Sequence, residues 1–261
     1  MRLVFLGSDV LLYFSILILA IFLFNSLKKP LNRKAIKRLL KFKIVIVTLT
    51  ILGFYLTVAV LDSIHFQRKL KSITDISNVS YSAKIESLLD VLFAKRSIAE
   101  EKTYSSPFAL RSFLKEAAPS GGQYYPKLTG INNIKTVQQR NNIIFFQILK
   151  SIFISSLFTM LCLLIFKLLF KKNFKVGCLI RSYKFELLFY SSFTFIIVVC
   201  YLLESQLHIL GTDKVGQDVF YQTIKSIRTG LVIGLLTTLV TLPFAIVLGL
   251  SAGYFGGRLD S

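Results

Sequence analysis

His208-Ile-Leu-Gly-Thr-Asp-Lys-Val-Gly-Gln-Asp218 runs directly into Val219-Phe-Tyr-Gln-Thr-Ile-Lys-Ser-Ile-Arg228, and from Gly230 to Leu250 no charged residue follows. Three physical units can be read in this stretch. A polar turn built on Gly211, Thr212, Asp213 and Gly216 comes first. A short amphipathic helix follows, with Val219, Phe220, Ile224 and Ile227 on one side. The uncharged run is long enough, at ~1.5 Å per residue, to cross a hydrocarbon core of roughly 30 Å. A glycine-rich turn, Gly253-Tyr254-Phe255-Gly256-Gly257, closes the unit, with Asp260 behind it. No residue in the stretch belongs to a catalytic pattern.

These motifs resemble the start of the permease core in ABC importers for dipeptides and oligopeptides. The resemblance is to the subunit that carries L-G-T-D-x-x-G-R-D-V before its helix and A-G-Y-F-G-G-x-x-D after it. The matching positions are Leu210, Gly211, Thr212, Asp213, Gly216, Asp218, Val219 and Arg228 on one side, and Ala252, Gly253, Tyr254, Phe255, Gly256, Gly257 and Asp260 on the other. Gln217 stands where the family usually has Arg, and Ile209 where it usually has Pro.

Composition sets the class independently. The chain is 54% hydrophobic with 24 Phe and a mean hydropathy of +0.64, above the roughly 45–50% apolar content, glycine included, of soluble domains. An integral membrane protein is expected, all-α, with about five transmembrane helices and a largely helical extracytoplasmic segment. The formal charge of +19 is explained by Lys and Arg placed in short loops between apolar runs, which argues topology and not nucleic acid. Cys162, Cys178 and Cys200 are odd in number and lack C-x-x-C spacing. Neither a disulfide framework nor a zinc site follows from them.

The first apolar run extends from about Asp9 to Leu27. Only Arg2 precedes it as a positive charge, no A-x-A-like site follows, and Lys28-Lys29 come next, so a retained helix is expected and not a cleaved signal peptide. Between Lys28 and Lys43 lie eight basic residues and no acid, a pattern held on the cytoplasmic side. Leu31, Ala35, Leu39 and Leu40 suggest that this loop is itself a helix on the membrane surface. A second run, Ile44 to Leu61, returns outward to Asp62.

Residues 62–142 mix both charge signs and read as aqueous. Two helices are expected there. One begins after Ser82 and carries Ile85, Leu88, Leu89, Leu92 and Phe93 on one stripe. The other has Ser106 as N-cap and Pro107 at its first position, runs through Phe108, Leu110, Phe113 and Leu114, and stops at Pro119-Ser120-Gly121-Gly122. Glu116-Ala117-Ala118 followed by Gly122 copies the beginning of the E-A-A-x-x-x-G loop by which such permeases dock their ATPase. It precedes the core and its Leu-Pro ending is missing, so it reads as coincidence. The sequon Asn78-Val79-Ser80 carries no information by itself.

A third run, Ile143 to Phe170, comes back inward to a basic loop containing Lys171, Lys172, Lys175, Arg181 and Lys184, and a fourth, about Phe185 to Leu203, goes out again. Alternation then places Gly211–Arg228 outside, sends the fifth helix inward and leaves Gly253–Asp260 in the cytoplasm. The N-terminus is accordingly outside and the C-terminus cytoplasmic. That is also the direction in which the resembled family threads this helix. The chain divides into a helical hairpin with a basic loop (1–61), an extracytoplasmic segment (62–142), a second hairpin (143–203) and the start of a permease core (204–261).

Asp213 and Asp218 read as caps for free N–H groups and Arg228 as an interfacial anchor, in preference to substrate ligands. Pro243, with Gly230, Gly234 and Gly249, reads either as an ordinary packing device or as a hinge used in transport. His65 and His208 lie next to membrane exits, and no third ligand at useful spacing joins either, so no metal site is indicated. No G-x-x-x-x-G-K-[ST] and no nucleophile–base pair occurs. An enzyme reading has no residues to stand on, and no cofactor is implied.

The resemblance implies a permease that pairs with a second permease, separate ATPase subunits and an extracytoplasmic solute-binding protein. It also implies several further helices and the docking loop after the first motif-bearing helix. The chain is therefore expected to be an N-terminal fragment or a truncated product that inserts but does not transport alone. The competing reading is a non-transporting membrane protein whose residues 62–142 sense or bind a partner.

Overall fold

The computed structural model describes residues 2–39, 42–69, 81–94, 101–118, 121–131, 134, 136–169 and 184–255. Its elements in order are β1 (Arg2–Val4), α1 (Gly7–Lys28), α2 (Pro30–Leu39), α3 (Lys43–Ser63), β2 (His65–Lys69), β3 (Tyr81–Ser87), α4 (Leu88–Leu92), β4 (Glu116–Ala117), β5 (Gln123–Tyr124), α5 (Val137–Leu169), α6 (Lys184–Glu204) and α7 (Val219–Phe255).

Five of these, α1, α3, α5, α6 and α7, are long and apolar enough to cross a membrane. The reason is chemical. In lipid the backbone must bond to itself, and uninterrupted Leu, Ile, Val and Phe allow that only as helix. Their large side chains face outward, where lipid replaces a protein core: Phe22, Leu52, Phe153, Leu188 and Phe244 are 59–71% exposed. Hydroxyls inside the spans are satisfied locally, as where Thr237, Thr241 and Ser251 bond to carbonyls one turn back. The chain is a multi-helix integral membrane protein, and the expected fold class holds at that level.

Two compact units are present. The first comprises Met1–Arg33, Tyr55–Leu89 and Lys225–Ser261. Its sheet has the order β1-β2-β3, antiparallel throughout, with Leu3 opposite Phe66 and Phe66 opposite Glu86. Arg68 and Glu86 pair at 2.6 Å. Leu12, Val58, Ala59, Phe66 and Leu89 are its buried apolar residues. The second unit comprises Lys34–Phe54 and Asp90–Ile224. In it Phe54 meets Phe193 edge-on, and Phe158 of α5 stacks on Tyr190 of α6.

The expectation of two helices in residues 62–142 is corrected. Residues 81–87 form a strand because β2 offers them backbone partners, and helix begins only at Leu88, whose N–H bonds to the Ile64 carbonyl. The Ser106–Leu114 segment is not a helix. Phe108 has φ 55°, and its neighbours send their N–H groups to distant acceptors: Phe108 to His208 O (2.9 Å), Ser112 to Pro126 O (2.9 Å) and Phe113 to Tyr104 O (3.1 Å). Those bonds preclude the local ladder. Glu116-Ala117 is strand β4, paired with β5, and the Glu116 carboxylate meets Lys102 at 3.0 Å.

The end of the chain also differs. The amphipathic piece and the uncharged run are one continuous helix, α7, which extends through Gly253, Tyr254 and Phe255 where a turn was expected. Glycine costs about 1 kcal/mol in a helix, which is less than leaving backbone groups unpaired at the end of a span. Gly256, Gly257 and Asp260 lie outside the described residues, as do Cys178, Pro119-Ser120, the Asn78-Val79-Ser80 sequon and the basic loop at 170–183.

Candidate functional site

The polar turn is a docked, hydrogen-bonded object. Within it Asp213 Oδ1 accepts the N–H groups of Val215 (2.9 Å) and Gln217 (2.8 Å), while Asp213 N–H bonds to Gln217 O at 2.9 Å. Asp218 Oδ1 accepts the Tyr221 N–H at 3.0 Å and so caps α7, where the helix dipole also favours an anion. Thr212 is buried. Its N–H bonds to Ser105 Oγ at 3.1 Å and its hydroxyl to Thr103 O at 2.8 Å, so the turn is tied to residues 103–105 of the same unit.

The two turn glycines are required twice over. Gly211 and Gly216 have φ of 77° and 85°, a region that side chains disfavour. A Cβ on Gly211 would stand 2.1 Å from the Ser105 carbonyl oxygen, and one on Gly216 would stand 1.7 Å from that of Glu101. The Glu101 N–H in turn bonds to Gly216 O at 2.9 Å.

Behind the turn lies a cluster of ionisable groups. His208 is fully buried. Its Nδ1 is 2.5 Å from Asp218 Oδ2, and its Nε2 is 3.6 Å from Glu101 Oε1. Glu204, the last residue of α6, is 1% exposed, and ligand atoms of Glu204, His208 and Asp218 all lie within 4.8 Å of one another. Burial alone would raise the Glu101 pKa, but hydrogen bonds from His208 and from the Gly130 and Thr129 N–H groups outweigh it and bring it down to about 2. Asp218 is likewise held below the usual carboxylate range: burial opposes ionisation, while bonds from His208, Glu204 and the Tyr221 N–H favour it. Nearby, the Tyr221 hydroxyl donates to Asp90, and Phe93 packs against Tyr221 and Tyr201.

In the other unit Arg228 has a role that differs from the expected snorkelling anchor. Its Nη2 bonds to Ser8 Oγ at 2.6 Å and to Asp9 Oδ1 at 2.5 Å, and its Nη1 lies 3.6 Å from Asp62 Oδ2. The second Asp9 oxygen takes the Leu6 N–H at 3.1 Å and meets His65 Nδ1 at 3.0 Å.

The structure therefore joins Gly211, Thr212, Asp213, Gly216 and Asp218 in one turn. The second motif is not part of that turn: Gly253 and Tyr254 belong to the last turn of α7, and Tyr254 is 84% exposed. Pro243 lies inside α7. The sequence offers His208 no third metal-binding residue at useful spacing, whereas the fold brings Glu204 and Asp218 beside it. Glu204 stands one helical turn before His208, a spacing that was readable, whereas Glu101 could be found only through the tertiary fold.

No family model matches the chain and no solved structure matches it. Known proteins do. The oligopeptide transport system permease protein OppC of Lactococcus lactis is 43% identical over 53 residues, 20% of this chain and 18% of its own length. The dipeptide transport system permease protein DppC of Bacillus subtilis is 41% identical over 54 residues, 21% of this chain and 17% of its own. OppC of Mycobacterium bovis is 36% identical over 53 residues, 20% and 18% respectively. The matched part of the chain thus spans less than a fifth of the length of each of these relatives.

Proposed function

We propose that the chain acts as a transmembrane permease component of an ABC-type importer for peptides or similar solutes, with residues 204–261 opening the permease core. The observation that carries this reading is the 43% identity to an oligopeptide transport permease. In this reading residues 1–61 and 143–203 are two membrane hairpins and residues 62–142 are extracytoplasmic. The N-terminus is outside, the C-terminus is cytoplasmic, and α7 carries one wall of the solute route inward. Energy comes from ATP hydrolysed on separate subunits, and solute arrives from an extracytoplasmic binding protein beside a second permease.

Supporting this, the segment 101–106 is hydrogen-bonded into the motif turn. A freely presented sensing segment has no need of that docking. The remaining motif residues, Gly253, Tyr254, Gly256, Gly257 and Asp260, then mark the cytoplasmic exit of α7, and Pro243 is the point at which the helix bends as access alternates.

The experiment is affinity purification of the tagged chain from its native membranes in mild detergent, with peptide uptake compared in cells that carry and lack it. Co-purification of a P-loop ATPase and a second permease, with uptake lost on deletion, is expected. Recovery of the chain without an ATPase, and unchanged uptake, overturns the reading. Orientation is read separately. In a cysteine-free background, Lys214→Cys reacts with an impermeant maleimide added outside, and Asn32→Cys reacts only after lysis. The opposite labelling overturns the threading.

A further inference from the structure

Glu204, His208 and Asp218 are buried to 1%, 0% and 0% exposure, and each offers one ligand atom within 4.8 Å of the other two. The three come from a short stretch that the fold reverses on itself. Glu204 and His208 are four residues apart across the end of α6, where Leu207 N–H still bonds to Leu203 O at 2.8 Å and keeps the helical turn, so both side chains leave on the same side. Asp218 returns to them after the polar turn. One of its oxygens is committed to capping α7 and the other, Oδ2, faces His208.

The imidazole has the surroundings of a metal ligand. Its Nε2 is directed at Glu101 Oε1, 3.6 Å away. The Glu101 carboxylate is itself fixed by the Gly130 N–H at 2.6 Å and the Thr129 N–H at 2.9 Å. With Glu101 facing the distal ring nitrogen, Nδ1 hydrogen-bonds to Asp218 Oδ2 at 2.5 Å, and a metal ion taking the place of that shared proton would draw on both atoms as ligands.

We propose that Glu204, His208 and Asp218 bind a divalent transition-metal ion of the Zn2+ type, with Glu101 orienting His208. One nitrogen and two oxygen ligands, all borderline-hard, suit Zn2+ and its close analogue Co2+ better than Ca2+, which takes six to eight oxygens. The ion clips the end of α6 to the start of α7 and holds the motif turn closed. It is taken up as the turn folds, because the ligands are fully enclosed afterwards. This inference does not rest on the transport reading: a metal clip is compatible with either function.

The test uses the full chain, purified through a non-histidine tag in detergent without chelator. Elemental analysis is expected to find about one Zn2+ per chain after dialysis against Zn2+ and gel filtration. Replacement by Co2+ is expected to give visible ligand-field absorption of a protein-bound site. His65→Gln is expected to keep the metal, while His208→Gln and Glu204→Gln lose at least tenfold in affinity. Should those two variants fail to fold, the unaltered chain decides: its thermal midpoint rises with added Zn2+ and falls with chelator. Absence of stoichiometric metal and of the Co2+ spectrum in the unaltered chain overturns the proposal, as does undiminished binding in folded His208→Gln and Glu204→Gln.

Discussion

Arg228 Nη2 lies 2.5 Å from Asp9 Oδ1, so a cation in the first third of α7 is neutralised by the first turn of α1, two hundred and nineteen residues earlier in the chain. Asp9 is fully buried and Arg228 is 13% exposed. A lone charge at Asp9 therefore has no water to fall back on, and one at Arg228 has little.

Removing one partner is expected to cost more than removing both. Arg228→Gln leaves Asp9 buried without its counter-charge and should destabilise the chain by about 3 kcal/mol. The double variant Arg228→Gln, Asp9→Asn should recover part of that loss. Thermal unfolding in detergent, followed by loss of helical signal, measures both. A loss in the double variant equal to the sum of the Arg228→Gln and Asp9→Asn losses would show that the pair contributes nothing beyond its separate parts.

The turn glycines differ from the helix glycines in what surrounds them. At Gly216 a methyl group would overlap the Glu101 carbonyl at 1.7 Å, whereas at Gly230 and Gly234 nothing lies within 4 Å. Gly216→Ala should therefore release residues 101–118 from the turn, at a cost of roughly 2–3 kcal/mol. Gly230→Ala should be neutral or stabilising by up to about 1 kcal/mol. Limited proteolysis at the exposed Lys102 and Lys115 reads the difference: faster cleavage is expected in Gly216→Ala only.

Glu101 gives the segment docked on the motif turn an acid limit. Its folded pKa of about 2 lies below the ordinary 4.5, so the ionised form is stabilised by folding. That stabilisation is fully present above 4.5, and is lost as pH falls towards 2 and the carboxylate takes up a proton. In chelator, where no cation competes with protons, the thermal midpoint should fall over this range. Glu101→Gln should be less stable at neutral pH and show a shallower acid dependence. A parallel decline in the two proteins would assign the acid sensitivity elsewhere.

Pro243 removes one backbone hydrogen bond from the middle of α7. Under the proposed transport role, Pro243→Ala should stiffen the helix, leave assembly of the complex intact and lower solute uptake per ATP hydrolysed several-fold. Coupled uptake and ATPase assays in reconstituted vesicles measure it. Unchanged coupling would reduce the proline to a packing residue.

The amino-acid sequence by itself determined the five spans, because length without charge is sufficient to fix a helix in lipid, where no competing backbone partner exists. It also determined the capping aspartates and the glycines of the turn, which are local requirements of backbone geometry. Residues 81–94 and 101–118 were decided by the tertiary structure alone. There Ser106-Pro107 and the Ile85–Phe93 spacing favour helix by small local margins. Strand β2, Pro126 and His208 offer backbone partners that outweigh them. The buried charges were decided in the same way. Asp9 finds Arg228, and Glu101 finds His208, only once distant segments meet. A charge in a linear sequence shows its own cost of burial but not the partner that offsets it.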